Sequence, residues 1–263
     1  MGSATRESIS AATAVLGSQG AIELATGEQL LAAALVVERE ARLRAALADD
    51  SADPADRRSI VAAVFGAYTP AARAVLDSLS TSRWSSADDL VAGIEQLGIE
   101  AVAASAPTSV SISDELFVLS TAVSSNSELE LALGSKLGSV DGKISLIGSL
   151  LEGKASKQTI AILGALLAQP RGRRMAELVR YAATIVAVQA GFTIATVTVA
   201  EPLTAAQADR LEKALSAQRE GSVRINQVID PAVLGGMRVQ IGDEVIDGTI
   251  ANRLTDLRLR LAS

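Results

Sequence analysis

The chain contains neither cysteine nor histidine. Without cysteine there is no disulfide framework, no thiol nucleophile and no Cys/His zinc site, and without histidine no mechanism can use imidazole as a base. Aromatic residues are nearly as scarce, with one Trp, two Tyr and three Phe among 263 residues. The 49% of apolar residues is therefore mainly Ala, Leu, Val and Ile. That composition suits closely packed helices, and the length suffices for one large core or two to three small ones.

A basic face is missing as well. The net charge is −6, and it is uneven: residues 1–100 carry 8 basic and 14 acidic groups, residues 101–200 carry 8 and 7, and residues 201–263 carry 8 and 9. Nucleic-acid binding needs clustered Lys and Arg, so no nucleic-acid partner is expected. Tyr181 to Ala200 holds no charged residue, and a run of about 20 such residues is the length of a membrane span. Gln189, Gly191 and several threonines interrupt it, and Phe192 to Val199 alternates like a strand. The run reads as a buried helix continuing into a strand, without membrane insertion. The N-terminus lacks a basic-then-apolar signal pattern, and Arg6 stands where a myristoylated Gly2 would want Ser or Thr. The chain is expected in the cytoplasm.

Helix punctuation is plentiful up to about Gln189. Thr26 with Gln29 suggests a capping box, Thr69-Pro70 puts proline at a first helical position, and Ser86 with Asp89 and Ser113 open two more helices. Asp49 to Pro54, Ala103 to Ser111 and Gln169-Pro170-Arg171-Gly172 read as breaks. Leu47, Val64, Leu76, Leu79 and Leu90 recur as Leu133, Leu150, Leu163, Leu166 and Leu178, at offsets of 86, 86, 87, 87 and 88. This pattern suggests a helical bundle duplicated in tandem; Ala/Leu-rich helices of similar length can also align without duplication. Six helices fit between Thr5 and Ala104 and five between Ser113 and Ala190. The second set lacks a first helix, so it either borrows the Trp84 to Ala104 helix or is incomplete.

Catalytic and cofactor motifs are wanting. Gly138-Ser-Val-Asp-Gly142-Lys143-Ile144 is one residue short of a phosphate loop and has isoleucine where the hydroxyl belongs, so it reads as a helix–helix turn. The carboxylate pairs Asp49/Asp50, Asp88/Asp89 and Asp243/Glu244 fall at turns or in first helical turns, where acidic groups favour the helix dipole and solubility. No catalytic, cofactor-binding or metal-ligating set is assigned. Arg171, Arg173 and Arg174 form the dense basic cluster, read either as solvated loop charge or as a contact for an acidic partner helix. Trp84, after Arg83, reads as a wedge between helices.

After Gly191 the period changes. Thr193 to Val199 is a strand, Thr204 with Gln207 opens a helix to about Gln218, and Ser222 to Val228 alternates as a second strand. Asp230-Pro231 turns, Gly235-Gly236 bends, and Met237 to Ile241 with Glu244 to Asp247 form a hairpin around Gly242-Asp243. Gly248-Thr249 opens a last helix whose Ile250, Leu254, Leu257 and Leu261 share one face, opposite Arg253, Asp256, Arg258 and Arg260. The succession of Val223-Arg224-Ile225, Asp230-Pro231, GGMRVQIGD and VIDGTIANRL strongly resembles the C-terminal signature of the delta subunit of F-type ATP synthases. The mitochondrial counterpart of that family is the oligomycin-sensitivity-conferring protein, and the extra helical length resembles the enlarged delta subunits of actinobacteria.

The expected fold is mainly α: an N-terminal six-helix bundle over residues 1–105, a second helical unit over 106–190 that is a partial duplicate, and a small α/β domain over 191–263. The resemblance implies a non-catalytic stator subunit without cofactors, in which helices grip the N-terminal helix of an alpha subunit and the C-terminal domain holds the b subunits. Candidate stalk contacts are Arg253, Arg258 and Arg260 with the preceding strand. Candidate groove residues are Leu116, Leu119 and Val123, or the first-copy equivalents Leu31, Leu35 and Val36, with Arg171, Arg173 and Arg174 as further partner contacts. A helical enzyme or small-molecule-binding protein that shares only the C-terminal pattern is the alternative.

Overall fold

The computed structural model describes residues 2–135, 138–151, 155–218, 222–233, 235–242 and 244–250. The chain divides into two compact units, Met1–Val186 and Ala187–Ser263.

The first unit is helical. Six helices come first: α1 (Ser3–Gly17), α2 (Leu24–Arg39), α3 (Ala41–Ala48), α4 (Pro54–Phe65), α5 (Pro70–Thr81) and α6 (Ala87–Ala104). Five follow: α7 (Ile112–Ser125), α8 (Ser127–Gly134), α9 (Val140–Leu150), α10 (Lys157–Ala168) and α11 (Met175–Gln189). Side-chain caps set most starts by taking up orphan amides of the first turn. Asp53 accepts from the Ala55 N–H, Thr69 from Ala72, Ser86 from Asp89, Asn126 from Glu128 and Leu129, Ser139 from Gly142, and Ser156 from Thr159. Two expected starts move. Helix α2 begins at Leu24 without a side-chain cap, because Thr26 is buried and shares its hydroxyl with Thr69, 3.1 Å away. Ser111, not Ser113, caps α7 by accepting from the Asp114 N–H.

Helices α2 and α6 form the most extensive helix pair. Glycines permit the approach: a β-carbon on Gly27 would stand 2.5 Å from the backbone nitrogen of Val102, and one on Gly98 would stand 2.8 Å from Leu31. The pair feeds two cores. Leu30, Ala33, Ala34 and Val37 of α2, with Leu90, Val91, Ile94, Leu97 and Ala101 of α6, join α1, α3, α4 and α5 in the first core. Leu31 of α2, with Ile99 and Val102 of α6, joins α7 to α11 in the second. The second set of helices thus borrows from α6, as one of the two sequence readings had it, and from α2 as well. Serving both cores makes α6 apolar nearly all round, as a fully surrounded helix must be.

Buried positions repeat between the two sets. Thr26, Leu30, Ala33 and Val37 of α2 match Ile112, Leu116, Leu119 and Val123 of α7 at an offset of 86. Ala72, Val75, Leu76 and Leu79 of α5 match Thr159, Ile162, Leu163 and Leu166 of α10 at 87, and Leu90, Val91, Ile94 and Leu97 match Leu178, Val179, Ala182 and Ile185 at 88. The sequence-level pairing of Val64 with Leu150 keeps the same offset of 86 but is not a pair of core positions. Val64 is 46% exposed, and the matching core positions are Val61 with Ile147 and Phe65 with Leu151.

The second unit holds a four-stranded sheet of β1 (Phe192–Val199), β2 (Ser222–Ile229), β3 (Met237–Ile241) and β4 (Glu244–Asp247), in the order β2-β1-β3-β4. Helix α12 (Ala205–Ala217) links the parallel pair β1 and β2, while β1/β3 and β3/β4 are antiparallel. Thr204 and Gln207 form the expected capping box. Ala195, Val197, Val199, Val223, Val239, Ile241 and Leu215 make its core. Ile250, the last described residue, has helical backbone. The rest of that expected helix, with Leu254, Leu257, Leu261 and the three arginines, lies outside the described residues.

Candidate partner-binding surfaces

The basic cluster follows α10. Arg171 (φ 50°) and Gly172 (φ 79°) are both left-handed, which turns the chain sharply and returns the cluster toward α2 and α6. Arg173 donates through Nη2 to both carboxylate oxygens of Glu95, 2.8 Å from each, and its guanidinium lies 4.3 Å from the centre of the Tyr181 ring. Glu95 is buried in α6, so the pair is partly shielded from water, and the Arg173 guanidinium also stacks on Tyr181. Burial first, and then the charge of Glu95, pushes the Tyr181 hydroxyl pKa well above its ordinary value.

Arg171 donates to the Asp88 carbonyl at 3.0 Å and lies 3.9 Å from Glu38, which Arg44 approaches to 3.5 Å. Two of the three arginines therefore meet acidic helices of their own chain, and this places their charges inside the helical unit. Arg174 remains exposed, with its backbone N–H donating to Glu177. Arg83 is exposed and pairs with Asp50 at 3.1 Å. Trp84 is wedged against Gly93 and donates its indole N–H to the Leu79 carbonyl.

Beside this network, α2, α6 and α10 enclose a cleft of about 350 Å³. Leu31 and Leu35 line it, with Glu28, Ala161, Gly164 and Arg171. The structure thus brings Leu31, Leu35 and Arg171 together. Val36 packs against the first core instead. Leu116, Leu119 and Val123 are buried to 0, 0 and 1% exposure, so they hold the second core and line no open groove. Their counterparts by burial are Leu30, Ala33 and Val37, because the sequence-level equivalence to Leu31, Leu35 and Val36 was out of register.

In the second unit, Asp230 accepts from the Val233 N–H as expected for its turn, and Gly235 (φ 95°) and Gly236 (φ 81°) bend the chain into β3. Asp247 accepts from both the backbone N–H and the hydroxyl of Thr249, chiefly the hydroxyl, and this lowers its carboxyl pKa below the ordinary value. The two sheet edges differ. On β2, Ser216 and Glu212 of α12 accept from the Val223 and Ile225 N–H groups at 2.8 Å, which blunts that edge. Strand β4 is exposed throughout, including Val245 and Ile246. Arg253, Arg258 and Arg260 lie outside the described residues.

Sequence reasoning missed Glu95, Glu38 and Tyr181 as members of the inter-helix network. The available signal was the two carboxylates Glu95 and Glu100 in the otherwise mainly apolar run LVAGIEQLGIEAV: a carboxylate on a buried helix needs a cation or hydrogen-bond donors as partners.

The comparisons extend this picture. The family model described as ATP synthase delta (OSCP) subunit matches residues 99–261, beginning within α6. A protein named ATP synthase subunit delta from Leifsonia xyli subsp. xyli is 49% identical over the full length of both chains. Proteins of the same name from a Nocardioides strain and from Kineococcus radiotolerans are 39% and 36% identical, over 90% and 94% of this chain and 87% and 91% of theirs. A chain in the cryo-EM structure of the Toxoplasma gondii mitochondrial ATP synthase hexamer matches with a TM-score of 0.40 and 18% identity, over 64% of this chain and 97% of that one; this likeness is too slight to argue from. On the family match and these relatives, the chain belongs to the ATP synthase delta (OSCP) subunit family.

Proposed function

We propose that this chain ties the catalytic head of an F-type ATP synthase to the b subunits, at the cytoplasmic face of the membrane. In this reading the helical unit takes the N-terminal helix of an alpha subunit and the small C-terminal domain holds the ends of the b subunits, with Arg253, Arg258 and Arg260 as stalk contacts. As a delta subunit the chain is a non-catalytic, structural component of the peripheral stalk. Among the described residues no helix is long and apolar enough to cross a membrane. Family membership displaces the alternative of an unrelated helical enzyme.

The observation that carries the reading is the extent of the family match, which runs from α6 through the second set of helices and the whole small domain. The remaining helices belong to the enlarged form. We propose the division 1–105, 106–190 and 191–263, with the second helical part a partial duplicate of the first. The repeated buried positions support it, and so does a repeated polar contact. Gln29 of α2 accepts from the N–H of Thr69, the cap of α5, at 2.7 Å, while Glu115 of α7 accepts from the N–H of Ser156, the cap of α10, at 2.9 Å. A stator transmits torque, so its parts must not hinge, and shared cores bridged by Arg173–Glu95 fit that demand within the helical unit.

The test uses membranes stripped of their catalytic head and a head preparation depleted of this chain. Adding the chain back should restore head binding and ATP-driven proton pumping together.

A further inference from the structure

The two helical cores are not built alike. The first takes every buried side chain from α1 to α6, and no described residue of α7 to α11 enters it. The second takes Leu31 from α2 and Ile99 and Val102 from α6, with Leu24 and Ala103 packed at its border. Helices α2 and α6 therefore wall the second core, while α7 to α11 contribute no side chain to the first.

The repeat accounts for this asymmetry. The offset of 87 that relates α5 to α10 carries Ser3–Gly17 onto residues 90–104, nearly the whole of α6. In the first set α1 packs against α5; in the second α6 packs against α10, with α2 beside it. Helix α6 is thus the last helix of one set and the first of the other. Polar contacts run the same way. Gln158 donates to the Ser105 carbonyl at 3.4 Å, Arg171 to that of Asp88 and Arg173 to the Glu95 carboxylate, so α10 and the segment after it are fastened to the end, the start and the middle of α6.

We infer that order passes one way through this fold: α7 to α11 hold their structure only on a folded α1–α6 frame and open from it as one unit, and the frame stays folded when they open. Helices α8, α9 and α10 have 8, 11 and 12 residues, too few to persist in water by themselves, so burial holds them. Without α2 and α6 that burial loses three side chains of 5% exposure or less, together with the helices that carry them. The reverse loss is smaller. When α7 to α11 open, Leu31, Ile99 and Val102 meet water, and Glu95 exchanges Arg173 for water, but the first core stays closed. An opening of this kind lies below global unfolding in free energy. The device is the same whichever partner the helical unit binds.

The experiment uses the full chain in rising urea, with pulsed hydrogen exchange and mass spectrometry to read the two sets separately. Leu76 of α5 and Leu163 of α10 occupy matching positions and are buried to 3% and 0% exposure. In the parent, α7 to α11 should lose protection at lower urea than α3 to α5. Leu163→Ala should lower the α7–α11 midpoint by about 1 M and leave the α3–α5 midpoint where it is. Phe65→Ala combined with Leu76→Ala should lower the α3–α5 midpoint, and α7 to α11 should never outlast it. If that double variant is unfolded before urea is added, α7 to α11 should be unprotected as well. Molecules with α7 to α11 protected and α3 to α5 exchanged, in any variant at any urea concentration, overturn the inference. An α3–α5 midpoint that falls with Leu163→Ala also overturns it, because two sets that melt only together are one unit.

Discussion

Arg173 reaches back across 78 residues of chain to set one guanidinium nitrogen 2.8 Å from each carboxylate oxygen of Glu95. The pair joins the segment before α11 to the middle of α6, and α6 is the helix that feeds both cores. Its energetic weight lies less in the attraction itself than in what either group would cost if left alone. Glu95 is 7% exposed at its side chain and Arg173 21%.

Removing one partner should therefore be costly. Arg173→Ala is expected to lower stability by about 2–4 kcal/mol, somewhat under the range for a fully buried pair because the guanidinium keeps some water contact. Replacing both residues, as Glu95→Leu with Arg173→Met, should recover most of that loss. Urea titration of the four proteins of the cycle decides it; equal losses for the single and double variants would show that packing, not charge, holds the segment.

Alkaline unfolding should be sensitised by Tyr181. Its folded pKa is raised, by burial first and by Glu95 second. The folded state therefore favours the neutral phenol, and this contribution is fully present below the unfolded tyrosine pKa, about 10. It is lost as pH rises beyond that value toward the folded pKa, because only the unfolded chain then ionises readily. Tyr181→Phe should flatten the fall in melting temperature above about pH 10. An unchanged pH profile would contradict the assignment.

The approach of α2 to α6 depends on Gly27. A methyl there would meet the Val102 backbone, which cannot swing aside, so Gly27→Ala should cost about 1–3 kcal/mol despite the better helix propensity of alanine. Gly148 in α9 has open space around its α-carbon, and Gly148→Ala should stabilise by about 0.5–1 kcal/mol. Opposite signs in thermal melts are the expected result.

Glu115 should tolerate glutamine better than alanine. Gln29 performs the corresponding contact with an amide oxygen, so Glu115→Gln keeps an acceptor for the Ser156 N–H. Glu115→Ala strands that N–H at the start of α10 and should cost about 1–2 kcal/mol. Hydrogen exchange at Ser156 and Thr159 reports the loss locally.

Much of the fold was legible because local chemistry decided it. Proline after Thr69, the Thr204/Gln207 box and the glycine pair before Met237 set element ends whatever the tertiary surroundings. The failures came where a tertiary partner outbid a local one: Thr26 reads as a cap in isolation but is buried against Thr69. The candidate groove failed for a related reason. Leu116, Leu119 and Val123 share a helical stripe, and a stripe looks alike whether it faces a core or a guest. The pairing of Arg173 with Glu95 was not legible because the two lie 78 residues apart, although the basic cluster and the buried carboxylate each stood out in the sequence.

The most direct test of the central claim is ATP-driven proton pumping in stripped membranes after the chain and its depleted catalytic heads are returned together. The account predicts that heads rebind and pumping returns only when the chain is present. Heads that rebind and pump equally well without it, or that stay unbound with the correctly folded chain supplied, would contradict the stator role.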